Sequence, residues 1–172
     1  MPSADGTYPP VLVSGLKALG IESELASPLT AYRDLLARWN RVYNLSAIRD
    51  PEEMVTRHLL DSLVVLDYLP QGRLLDVGTG AGLPGIPIAL AQPQRSVTLL
   101  ESSGKKARFL RQACLELGLE NVEVAEGRLE HYQPAERFDV IICRAFSEAL
   151  DFYKGVSAHL APTGLAIAMK GR

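Results

Sequence analysis

The sequence predicts an α/β fold, a mostly parallel sheet with helices on both faces, preceded by a helical N-terminal extension. Three observations carry this. From residue 74 onward, short apolar runs alternate with helical patterns, and strands joined by helices of that length form a parallel sheet with right-handed crossovers. One of the joints, residues 78–85, is rich in glycine and follows a strand directly. The first seventy residues instead place their apolar side chains at helical spacing.

Taken in order, residues 1–10 read as a loose leader, with neither the basic start nor the apolar core of a signal peptide. Val11 to Leu19 predicts a short helix ended by Gly20. Ser27-Pro28 reads as a helix cap followed by a first-turn proline. Leu29, Tyr32, Leu35, Leu36, Trp39 and Val42 then make one apolar stripe, which assigns Trp39 to the core. Asp50-Pro51-Glu52-Glu53 is a second start signal. Met54, Val55, His58, Leu59, Ser62 and Leu66 share one side of the helix it opens, and His58 reads as a hydrogen-bonded packing residue. Leu74 to Val77 is a buried strand, and a helix begins near Pro84 and ends near Gln92-Pro93. Ser96–Leu100, Val122–Ala125, Phe138–Cys143 and Leu165–Met169 are the further strands. Lys105 to Leu117 is a helix stopped by Gly118; Glu148 to Leu160 is another, followed by a turn at 161–164. Two units follow: a helical extension, 1–70, that is the RNA-facing candidate, and a nucleotide-binding core, 71–172.

Composition narrows the function classes. At 172 residues and a net charge of −2 the chain is a single-domain length without the basic excess of an indiscriminate nucleic-acid binder. Its apolar runs fall short of the roughly 20 residues of a membrane helix. Cys114 and Cys143 lack metal-ligand spacing, which points to a reducing cytosol and a cytoplasmic protein without a metal.

The chemistry centres on Asp76-Val-Gly78-Thr-Gly80-Ala-Gly82-Leu83-Pro-Gly85. A strand, a glycine loop and a helix offer backbone N–H groups to a nucleotide in the Rossmann manner. Gly80 to Gly85 also fits the dinucleotide pattern literally. Asp76, however, puts an acid where a pyrophosphate would sit badly and where an ammonium and a sulfonium would sit well. Glu101, closing the next strand, suits the two ribose hydroxyls of an adenosine from either S-adenosylmethionine or NAD. An NAD-dependent oxidoreductase therefore stays open beside a methyltransferase, as does a non-catalytic RNA-binding module. Arg38, Arg41 and Asn44, among aromatics, and Lys105, Lys106, Arg108 and Arg111 on one helix are candidate RNA contacts. The plain alternative for each is a solvated helix face.

Four separated strings make a more specific match. Arg-Trp-Asn-Arg-Val-Tyr-Asn-Leu-Ser (38–46), Arg-His-Leu-Leu-Asp-Ser (57–62), Asp-Val-Gly-Thr-Gly-Ala-Gly-Leu-Pro-Gly-Ile-Pro (76–87) and Cys-Arg-Ala-Phe (143–146) resemble the glucose-inhibited division protein B family. The resemblance covers residue 28 to the end. It implies a class I S-adenosylmethionine-dependent methyltransferase that acts on N7 of a guanine (position 527, in the 530 loop) of bacterial 16S ribosomal RNA and yields S-adenosylhomocysteine. The implied partner is that RNA or the small ribosomal subunit, met by a monomer. Gly78 and Leu83 would line the methionine and sulfonium, Glu101 the ribose, and Leu129 and Glu130 the adenine. Arg144, the implied catalytic residue, would lie near the methyl donor and the incoming base. Family members continue past the fifth strand with two more strands, so the core is expected to be truncated there. Cys143-Arg144-Ala145-Phe146 stands where amino-group enzymes carry an Asn/Asp-Pro-Pro-aromatic motif, and Cys143, near the nucleophile position of cytosine-C5 enzymes but without a following proline, reads as packing.

Overall fold

The computed structural model describes residues 8–144 and 149–170. The leader 1–7, residues Ala145 and Phe146 of the fourth string, the expected helix start at Glu148, and Gly171-Arg172 lie outside them.

The chain opens with α1 (Pro10–Ala18) and α2 (Ala26–Tyr43). The stripe of α2 buries Leu29, Tyr32, Leu35 and Leu36. Two expectations fail here. Ser27 does not cap α2, because a 3₁₀ turn over Ser23–Leu25 runs straight into it and leaves Ser27-Pro28 inside the first turn. Val42 is 71% exposed, since the stripe rotates off the core by the last turn. Trp39 is half-buried and packs on Phe109 and Tyr43, with ring centroids 5.5 and 5.2 Å away. After an Asn44 in the left-handed region, Asp50 starts the next helix as expected, its Oδ1 accepting the Glu52 N–H at 3.0 Å. That rod comprises α3 (Pro51–Met54), a π-helical turn (Val55–Leu60) and α4 (Asp61–Leu63).

The sheet follows: β1 (Leu74–Val77), α5 (Gly85–Ala91), β2 (Val97–Glu101), α6 (Gly104–Leu117), β3 (Val122–Glu126), β4 (Phe138–Arg144), α7 (Ala149–Val156) and β5 (Leu160–Met169). All pairs are parallel, in the order β3-β2-β1-β4-β5. α6 ends at Gly118 with φ +63°, as its sequence predicts. The last turn is corrected. α7 passes at Val156 into a 3₁₀ turn over Ser157–His159, so the helical stretch ends one residue before the expected Leu160, and residues 161–164 belong to β5 as a bulge. There the two-residue step from Phe138 to Val140 on β4 faces the five-residue step from Leu160 to Leu165. Pro162 and Gly164 produce a bulge inside a strand.

Alternation along the strands sends side chains to two cores. Leu74, Val97, Leu99, Val140 and Ile142 join α2, the π turn, α5 and α6 in one cluster. Leu75, Leu100, Phe138, Ile141 and Cys143 join Phe152 and Val156 of α7 in the other. Cys143 is thus a packing residue, and the helical extension shares a core with the sheet. The order reverses between β1 and β4, and ligands of such sheets bind at the carboxyl ends of strands beside that switch point.

Candidate functional site

The strand-to-loop connections bring the expected residues to one end of the sheet. Asp76, on a strand buried on both faces, is 0% exposed. Its Oδ2 accepts the Thr79 hydroxyl at 2.6 Å and the Gly85 N–H at 2.8 Å, so the loop folds back onto the strand it left. Gly85 must be glycine: a Cβ would run into Leu99 and come within 2.8 Å of Asp76 Oδ2. Asp76 Oδ1 is buried and has no partner among the described residues. Burial pushes the carboxyl up to about 7, against the lowering effect of Thr79, Gly85 and the Arg144 charge. A buried acceptor lacking a donor fits a cationic N–H group from a ligand.

Glu101 bridges loop and helix. Its Oε2 accepts the Gly80 N–H and its Oε1 the Ser103 N–H, each at 2.8 Å. Each oxygen keeps a second lone pair, so the same carboxylate can also take ribose hydroxyls. Gly78 and Gly80 both sit at φ +64°, a conformation that strains any side-chain-bearing residue. Beside them a cleft of about 250 Å³ is lined by Gly78, Leu129 and Glu130 of the expected set and by Val77, Leu100 and Ser102. Gly127 and Arg128 complete it; the sequence reading missed both. A larger cavity, about 450 Å³, lies at the amino ends of the strands around Gly72, Arg73 and Arg95. The Arg95 guanidinium there is spent on Gln92 Oε1 and the Gly72 and Pro70 carbonyls. It clasps the bottom of the sheet, so chemistry is assigned to the smaller cleft at the switch-point end.

Leu83 is 8% exposed within the loop. Tyr32 of α2, wholly buried, donates its hydroxyl to the Ala81 carbonyl at 2.7 Å. Sequence periodicity marks Tyr32 as core and gives no hint of this bond. Arg144, at the end of β4, leans on the helical extension. Its Nη2 lies 3.3 Å from the Arg57 carbonyl and 3.7 Å from Asp61 Oδ2, and its Nη1 lies 3.5 Å from Ser62 Oγ. His58 is buried, bonded to Ser46 Oγ at 2.7 Å, and burial lowers its pKa.

The RNA candidates divide. Arg38 is paired with Glu116 and Arg111 with Glu126. Asn44 accepts from Arg49 at 2.7 Å. Exposed Arg41, Lys105 and Arg108 and half-buried Lys106 make no ion pair among the described residues. Among those residues no cluster of three metal-ligating side chains occurs, and no helix is long and apolar enough to cross a membrane.

The chain matches the family model GidB, rRNA small subunit methyltransferase G, over residues 26–172. It is 50% identical to the ribosomal RNA small subunit methyltransferase G of Methylobacillus flagellatus over 163 residues, 94% of this chain and 80% of that one. It is 53% identical to the same-named protein of Alkalilimnicola ehrlichii over 166 residues, 95% of this chain and 75% of that one. Among solved structures it resembles coclaurine N-methyltransferase bound to N-methylheliamine and S-adenosylhomocysteine, with TM-score 0.57 and 21% identity, over 71% of this chain and 37% of that one. The glycopeptide N-methyltransferase MtfA complexed with S-adenosylhomocysteine is similar at TM-score 0.55 and 19% identity, over 64% and 47%. The fold is that of the class I, Rossmann-like methyltransferases.

Proposed function

Because the chain belongs to the rRNA small subunit methyltransferase G family and is with it an S-adenosylmethionine-dependent methyltransferase of small-subunit ribosomal RNA, we propose that it methylates N7 of guanine 527 in the 530 loop, with Arg144 against the base. One observation carries the placement of the chemistry. The glycine loop, Glu101, the Leu129-Glu130 turn and Arg144 all leave the carboxyl ends of neighbouring parallel strands.

The residues present fit the cofactor. Asp76 Oδ1 would take its ammonium, Gly78 and Leu83 would flank the methionine, Glu101 would hold the ribose, and Leu129 and Glu130 would hold the adenine. S-adenosylmethionine held there would supply a methyl on a sulfonium; a bond from the N7 lone pair to that methyl, with the C–S electron pair left on sulfur, would give S-adenosylhomocysteine and a cationic purine. That lone pair is free in neutral guanine, so no proton has to be removed first. The protein's contribution is then proximity and in-line alignment. Arg144 would donate to O6, the acceptor beside N7 that arginine reads elsewhere, leaving N7 open. N7 faces the deep groove of A-form RNA, so the base must arrive from a loop or be splayed out. The enzyme would act as a monomer in the cytoplasm, on 16S RNA or the small subunit.

The NAD reading is disfavoured by Asp76, which lies buried directly under the loop where a pyrophosphate would sit. The test is transfer of a labelled methyl to 16S RNA from cells lacking the modification. Borohydride reduction and aniline cleavage then map N7-methylguanine by strand scission. Scission at guanine 527 that disappears in Arg144→Ala, while S-adenosylhomocysteine still binds by calorimetry, is the expected result. Arg144→Ala with full transfer would overturn the role given to that arginine; saturable NAD binding would overturn the cofactor.

A further inference from the structure

Among the described residues, the hydrogen bonds and ion pair of the Arg144 side chain all go to the helical extension. An α-helix would send the Asp61 N–H to the carbonyl of Arg57, four residues back. In the π turn that N–H goes instead to Thr56 and His58, and the Arg57 carbonyl turns to the Arg144 guanidinium at 3.3 Å. The same carbonyl lies 3.1 Å from His58 Nδ1. A carbonyl only accepts, so Nδ1 carries the proton, and Nε2 accepts from the Ser46 hydroxyl at 2.7 Å. Ser46 is fixed in turn, its N–H donating to Asn40 Oδ1 at 2.8 Å. One further turn along, Ser62 donates to the His58 carbonyl at 2.5 Å, presenting its oxygen lone pairs to Arg144 Nη1 at 3.5 Å. Asp61 Oδ2 stands 3.7 Å from Nη2. Asn40, Ser46, His58 and the Arg57 carbonyl thus form one relay that ends at the guanidinium.

From this geometry we infer that Asp61 and Ser62, at the start of α4 just past the π turn, are positioning residues that aim Arg144 at the target base. The inference rests on the role proposed for Arg144. The three contacts to Arg144 are long, between 3.3 and 3.7 Å, so they set its direction while leaving N–H groups for a base. Asp61 has a second effect. Methylation at N7 leaves a positive charge on the purine, and a lone guanidinium beside it would oppose that charge. A carboxylate against the guanidinium offsets the repulsion as the transition state develops. π turns inside helices recur at functional sites, and here the turn supplies the carbonyl that a regular helix would have consumed.

The test uses Asp61→Asn and Ser62→Ala, alone and each combined with Arg144→Ala, in single-turnover methyl transfer to unmodified 16S RNA at saturating RNA and cofactor. Each single variant is expected to lose about ten- to a hundred-fold in rate, with S-adenosylhomocysteine affinity held within about twofold. In the Arg144→Ala background neither adds a further loss, because the group they aim is gone. Losses that multiply with that of Arg144→Ala, or that track a fall in cofactor affinity, would mark a merely structural role and overturn the inference. Full transfer by Arg144→Ala itself would instead overturn the underlying role of the arginine, an outcome separate from either.

Discussion

Asp76 sets stability against binding within a single side chain. Its folded carboxyl sits at about 7 against an ordinary 3.8, chiefly because it is buried. Between those values the folded chain keeps a proton that the unfolded chain releases. Stability of the ligand-free protein therefore falls as pH rises from about 4 to 7, by on the order of 4 kcal/mol in total. His58 works in the opposite sense: burial lowers its pKa below 6.5, so its contribution is lost as pH falls through that value. Asp76→Asn mimics the protonated acid. Urea denaturation at pH 5 and 8 should show a decline for the wild type that the variant lacks, while the variant binds S-adenosylhomocysteine at least tenfold more weakly. A variant with the wild-type pH slope would mean that another buried group titrates there. The acid's place at a strand end was legible in the sequence. Its orphaned Oδ1 was not, because that depends on Gly85, nine residues on, taking the other oxygen.

Elements were legible where one local cause dominates. β1 and the glycine loop announce themselves because a short, mostly apolar run meets residues that tolerate positive φ. Gly118 ends α6 for the same reason. Ser27-Pro28 misled because a 3₁₀ turn upstream had already started the helix, and the bulge in β5 misled because proline and glycine read as a turn. The π turn had no sequence signal at all, since Met54, Val55, His58, Leu59 and Ser62 satisfy ordinary helical spacing. The link between α2 and the glycine loop was equally hidden, and it makes a prediction. Tyr32→Phe removes only the donor to Ala81 O, so the chain should fold with a loss of about 1 kcal/mol. The loop, freed at Ala81, should bind S-adenosylhomocysteine about fivefold more weakly, with little change in the transfer rate at saturation. Unchanged affinity by calorimetry would show that the hydroxyl serves packing alone.

At the scale of the molecule, a chain of net charge −2 must bind an anionic RNA through local clusters, and pairing decides which cations count. Arg38 and Arg111 face carboxylates of Glu116 and Glu126 at 3.1 and 2.9 Å. Meeting a phosphate would break those contacts, so their net gain is small. Lys105, Lys106 and Arg108 carry no such pair among the described residues. They lie on the first turns of α6, which Ser103 and Glu101 anchor beside the cleft of Gly78, Ser102 and Glu130. Each phosphate they neutralise releases counterions, and for single-stranded RNA the slope of log K against log salt is about −0.7 per contact. Replacing all three by alanine should therefore reduce the slope by about 2, measured by filter binding of 16S RNA across a salt series. Arg38→Ala should change it by much less, although sequence pattern alone does not separate the two groups. A triple variant with the wild-type slope would move the RNA to another face of the molecule.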